Sequence, residues 1–141
     1  MSDVLVLGGT SDATRLCQML DEARVAYTLS VATAVGVQLA GALTGRIRCG
    51  RLDAHELAEW IRTENVRWVI DATHPYAAVV SENARQACLA TGVLLSRYQR
   101  PTHLDQVSHP RLHKVATIGQ ACAIACALGP RILLTTGSKD L

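Results

Sequence analysis

The chain has no apolar run near the roughly 20 residues that a membrane helix needs. It lacks a basic segment followed by an apolar stretch at its start, so no secretory signal is read there. Its five cysteines, Cys17, Cys49, Cys88, Cys122 and Cys126, form no CxxC pair. An odd count without a signal segment fits reduced thiols, and the expected location is the cytoplasm. Cys122 and Cys126 stand four apart on an expected helix, but small packing cysteines are common and no metal site is read there. Charge of one sign is also missing: 14 basic against 12 acidic residues give a formal net charge of +2. The basic residues do not run together, so neither nucleic acid nor an anionic membrane is demanded as a partner. There is no GxSxG for a serine hydrolase and no GxxxxGK[ST] phosphate loop. Gly137-Ser138-Lys139 is too short to serve as one.

What is present is a core-forming composition, 49% apolar and 18% charged over 141 residues, enough for one domain or one domain and the start of another. Two periodicities alternate along it. Val4 to Leu7 is a continuous apolar run ended by Gly8-Gly9. Ala13, Leu16, Cys17 and Leu20 then repeat at helical spacing. Val25 to Val31 reads as a second strand and Thr44 to Cys49 as a weaker third. Asp53 with Glu56 forms a capping-box pattern ahead of a helix through Ala54, Leu57, Ala58 and Ile61. Arg67 to Asp71 is the next strand, followed by a helix from about Tyr76 to Thr91 with Gly92 as its stop. Val93 to Tyr98 is another strand, and 100 to 111 reads as a polar loop. Ile118, Ala121, Cys122 and Ala125 mark a further helix stopped by Gly129-Pro130, and Ile132 to Thr136 a last strand. Apolar strands alternating with amphipathic helices predict an α/β fold, a Rossmann-like parallel sheet with helices on both faces. In such sheets ligands bind beyond the carboxyl ends of the strands.

Five constellations fall at those ends. Gly8-Gly9-Thr10-Ser11 follows the first strand, where backbone N–H groups at a helix start can approach a phosphate. The motif is not a full GxGxxG: Thr10 stands at the second glycine and Ala13 at the third. After the second strand an NAD site would carry Asp or Glu for the ribose 2′-hydroxyl. Here stands Ser30, with Thr33 nearby, and no carboxylate to repel a 2′-phosphate. Arg46, Arg48 or Arg51 can supply positive charge, so NADPH is expected over NADH. Gly50 and Arg51 precede the Asp53 helix and again allow close backbone approach, although a capped helix with a surface arginine explains them as well. Asp71-Ala72-Thr73-His74-Pro75-Tyr76 gathers a carboxylate, a hydroxyl, an imidazole and a phenol. Each alone also reads as a cap, loop or core residue. An imidazole titrates near neutrality, which makes His74 a candidate proton donor. Arg97 and Arg100 flank Tyr98 and can clamp carboxylates, or simply begin an exposed loop. A short-chain dehydrogenase or epimerase would carry YxxxK, but Tyr76 is followed by Val80.

Taken in order, the segments VLVLGGTSDA (4–13), LSVAT (29–33), GRLD (50–53), VIDATHPYA (69–77), SENARQAC (81–88), RYQRP (97–101) and LLTTGSKDL (133–141) resemble the precorrin-6A reductase family over essentially the whole chain. The resemblance implies reduction of the tetrapyrrole precorrin-6A to precorrin-6B with NADPH, on the route to cobalamin. It implies two Rossmann-like domains with cofactor and substrate between them, this chain being the N-terminal portion. Residues 1–130 are then the expected NADPH-binding domain, and 131–141 the junction or start of the second. On this reading Gly8, Gly9, Thr10 and Ser11 hold the pyrophosphate, and Ser30 with Thr33 or Arg51 lies near the 2′-phosphate. Thr73, His74 and Tyr76 line the nicotinamide side. Arg97 and Arg100 take substrate carboxylates, with Lys139 at the junction. The alternative is an NADPH-binding module that is inactive without its second half.

Overall fold

The computed structural model describes residues 3–100 and 106–133, with only the backbone of Leu39. The expected α/β architecture is what forms. Five parallel strands, β1 (Val4–Leu7), β2 (Tyr27–Val31), β3 (Arg46–Cys49), β4 (Trp68–Asp71) and β5 (Leu94–Arg97), lie in the order β3-β2-β1-β4-β5. β1 is central and buried along its full length. Its side chains alternate between the two faces, as the pleat requires. Val4 and Val6 join a core with Ala13, Cys17, Leu29 and Ile70, beneath helices α1 (Ser11–Glu22) and α2 (Ala34–Ala40). Leu5 and Leu7 join another with Leu57, Ile61, Ala84 and Cys88, beneath α3 (Ala54–Glu64) and α4 (Ala78–Thr91).

Local signals set most boundaries. Asp53 accepts from Glu56 N at 2.8 Å and its own N–H donates to Glu56 Oε2 at 2.9 Å, so the capping box starts α3 as expected. Gly92, at φ 72°, ends α4. β3, β4 and β5 are each shorter by one or two residues than the sequence predicts, and three further boundaries differ for local reasons. β2 starts at Tyr27 rather than Val25, because Val25 N donates to Leu20 O and closes α1 instead of pairing. α4 starts at Ala78 rather than Tyr76, because Tyr76 and Ala77 form a turn on His74. Ile132 and Leu133 are exposed and carry no strand, and the rest of that expected strand lies outside the described residues.

α2 was not expected at all. It has seven residues with Gly36 inside and valines at 35 and 37, all poor helix formers. Packing of Val37 and Ala40 on the β2 side of the core holds it.

Contacts divide the chain into two compact units, Met1–Arg100 and Pro101–Leu141. In the second unit Thr117 caps α5 (Ile118–Leu128), accepting from Gln120 N at 3.2 Å. No α5 residue is buried, and Cys122 and Cys126 are exposed rather than packed. Among the described residues no group of three or more His, Cys, Asp or Glu side chains is placed to hold a metal. No described helix is long and apolar enough to cross a membrane.

Candidate functional site

The strand order reverses between β1 and β4, which makes the crevice above their carboxyl ends the ligand position expected of this topology. The glycine turn sits there. Gly8 N donates to Ser30 O at 2.9 Å, drawing the turn against the end of β2. A Cβ on Gly8 would stand 2.5 Å from Leu29 Cδ1 and 3.1 Å from Ala13 Cβ, so any larger residue here must displace the Leu29 side chain. Gly9 is glycine for another reason: its φ is 110°, open to residues without a side chain. Thr10 caps α1, its hydroxyl accepting from Ala13 N at 3.1 Å and donating to Ala72 O at 2.8 Å. The side chain in place of the second glycine therefore ties β1 to β4 across the switch point. Beside the turn lies a cavity of about 460 Å3, bounded by Gly9, Ser11, Arg15, Val31 and Gly36 among others. Its lining contains one guanidinium and no carboxylate.

At the ends of β2 and β3 the three arginines separate. Ser30 lies opposite Arg48 in the β2–β3 register, and Arg48 Nη1 donates to Ser30 Oγ at 3.4 Å and to Gly50 O at 2.6 Å. Arg46 instead pairs with Glu64 at 2.6 Å, and Arg51 is exposed. Thr33 is the N-cap of α2, accepting from Gly36 N at 3.3 Å. Gly50, at φ 117°, donates to Val31 O at 2.9 Å and closes the edge between the two strands. Of the three arginines expected to supply charge here, Arg48 is the one bonded to Ser30.

The β4–β5 end is organised by Asp71, whose side chain does more than cap the turn that follows it. The carboxyl is 3% exposed. Its Oδ1 accepts from Thr73 N at 3.1 Å and Thr73 Oγ1 at 2.6 Å, and its Oδ2 from Ser81 Oγ at 2.6 Å and Arg97 Nη1 at 3.1 Å. Arg97 also donates to Ser81 Oγ. A buried carboxylate needs such partners, and here they fix three elements at once. The Thr73 hydroxyl is thereby turned onto Asp71. Next along the chain, His74 Nδ1 accepts from Tyr76 N at 3.3 Å, and the two rings lie 5.2 Å apart. Both side chains are exposed, Tyr76 at 89%.

Arg100 leaves this end. Its Nε donates to Asp12 Oδ2 at 2.8 Å, in the first turn of α1. Lys139 lies outside the described residues. The thiols are remote from this chemistry: burial first, then the charge of Asp21, pushes Cys17 up to about 12, and burial pushes Cys88 up to about 11.

The cobalt-precorrin-6A reductase of Salmonella typhimurium is 58% identical to this chain over 139 residues, 99% of the chain and 53% of that relative. The precorrin-6A reductase of Rhodobacter capsulatus is 36% identical over 141 residues, 100% of the chain and 55% of that relative. A solved structure titled CobK precorrin-6A reductase matches with a TM-score of 0.75 at 34% identity, over 87% of this chain and 48% of that one. The chain thus spans about half the length of the curated relatives it matches. A model of the family described as precorrin-6x reductase CbiJ/CobK matches residues 3–141, and the chain belongs to that family.

Proposed function

We propose that this chain is the NADPH-binding half of a reductase that converts the tetrapyrrole precorrin-6A to precorrin-6B in cobalamin biosynthesis. The observation that carries the reading is the 58% identity to a cobalt-precorrin-6A reductase over 99% of the chain. The cavity beside the glycine turn fits an anionic dinucleotide, since its lining brings one positive charge and no carboxylate. Gly8, Gly9, Thr10 and Ser11 would hold the pyrophosphate through their backbone. The Thr10 hydroxyl, already bonded at both ends, would set the shape of the turn. Ser30, Thr33 and Gly50 would border the 2′-phosphate, with charge from Arg48 or Arg51. When bound, NADPH supplies the hydride. Thr73, His74 and Tyr76 would line the nicotinamide side, and His74 or Tyr76 is placed on an exposed loop where a proton can be delivered. Arg97, steadied by Asp71 and Ser81, would meet a substrate carboxylate, and Lys139 would meet another near the junction with a second domain. Neither nucleic acid nor a membrane is a partner on this reading, and the protein works in the cytoplasm.

Calorimetry tests the cofactor assignment: NADPH is expected to bind at least about tenfold more tightly than NADH, a difference of about 1.4 kcal/mol. Equal affinities would remove the 2′-phosphate argument. The second reading, a binding module inactive alone, is favoured by the half-length match. Supplying the second half in trans and following NADPH oxidation separates the two.

A further inference from the structure

Arg97 and Arg100 are neighbours in sequence but part company in space. Tyr98 N donates to Asp71 O at 2.9 Å and holds the chain beside β4. Two residues later Arg100 reaches back across 88 positions to Asp12. Asp12 sits in the first turn of α1, directly after Ser11. A carboxylate there suits the helix, because it lies near the positive end of the dipole. It does not suit a phosphate bound at the same turn, since two anions then share one helix end. The guanidinium of Arg100 lies against that carboxylate at 2.8 Å and carries the opposite charge.

We infer that Arg100 is a positioning residue of the cofactor site: held by Asp12, it cancels that carboxylate's charge at the glycine turn so that a dinucleotide pyrophosphate can bind there. The inference rests on the proposed NADPH site and assigns Arg100 to the cofactor rather than to the tetrapyrrole. The pair is open to solvent, with Arg100 66% and Asp12 23% exposed. Exposed ion pairs contribute little to folding, so its removal leaves the domain folded and binding is the informative readout.

The test is a double-mutant cycle on the full chain, with NADPH titrated by calorimetry at low salt and folding checked by thermal melting. Arg100→Ala should bind NADPH about tenfold more weakly, because Asp12 is left uncompensated. Asp12→Asn should bind about twofold more tightly, since Arg100 is then free to face the phosphates. The double variant should return to within about threefold of the original chain, a non-additivity that a purely structural role would not produce. The Arg100→Ala loss should shrink in about 0.5 M salt through screening. Adenosine 2′-phosphate, which has no pyrophosphate, should compete equally well against both chains. Unchanged NADPH binding in Arg100→Ala overturns the inference and leaves the cofactor reading standing. A double variant as weak as Arg100→Ala also overturns it, because the arginine would then touch the phosphates without acting through Asp12. Failure of the unmodified chain to bind NADPH removes the cofactor reading and this inference together.

Discussion

The two sides of the switch point are built on opposite plans. On the β1–β2 side the edge is open: a glycine turn, a helix start and a cavity lined largely by Gly, Ala, Ser and Thr residues. On the β4–β5 side the edge is filled: one buried carboxylate accepts from Thr73, Ser81 and Arg97, and side chains hold one another. Open backbone suits phosphate oxygens, which ask for N–H groups and room. A braced guanidinium suits a ligand that presents its own carboxylates. On the proposed function, the open side is the cofactor's and the filled side the substrate's.

The filled side should break hardest. Asp71→Ala leaves two hydroxyls, an N–H and a guanidinium without their acceptor, and the expected loss is about 2–4 kcal/mol in urea unfolding. A loss under about 0.5 kcal/mol would mean that the carboxylate does not organise that edge. Gly8→Ala attacks the open side. Its Cβ would meet Leu29 and, at 3.1 Å, Ala13 Cβ, so it should cost about 1–3 kcal/mol of stability. It should also weaken NADPH binding more than Asp71→Ala does; the reverse order would move the pyrophosphate away from the turn.

The smallest effect compares the cores beneath the two sides through their buried thiols. Cys17 is held up to about 12 and Cys88 up to about 11, both mainly by burial, against an ordinary 9.0. Above pH 9 the unfolded chain gives up these protons while the folded chain keeps them. Their contribution is therefore present below pH 9 and is lost as pH rises, by at most about 1.4 kcal/mol per thiol per pH unit. Urea unfolding between pH 8 and 10 should show a shallower decline in Cys17→Ala than in the parent, and identical slopes would contradict the burial argument.

Features governed by near neighbours were legible in the sequence. Strand and helix alternation, the glycine turn, the Asp53–Glu56 box and the Gly92 stop all read correctly because each is decided within a few residues. α2 escaped because its own residues disfavour a helix and the core beneath it decides. Thr33, taken for a phosphate contact, also proves to be the cap that starts that helix. Which of Arg46, Arg48 and Arg51 adjoins Ser30 depends on the β2–β3 register, a long-range pairing that sets Arg48 opposite it. The wider role of Asp71 was not legible because its partners at 81 and 97 become neighbours only when β4, β5 and α4 assemble. The partner of Arg100, 88 residues away, could not be read from any local pattern.

Thr10 carries a last consequence. A glycine at that place would complete the more usual fingerprint, yet it would delete both the helix cap and the bond to Ala72. Searches that demand glycine spacing will pass over chains built this way, rejecting them for the very residue that stitches their two half-sheets together. In this chain that hydroxyl is matched by a strand that ends at Asp71 and is followed directly by Ala72, whose carbonyl accepts from it.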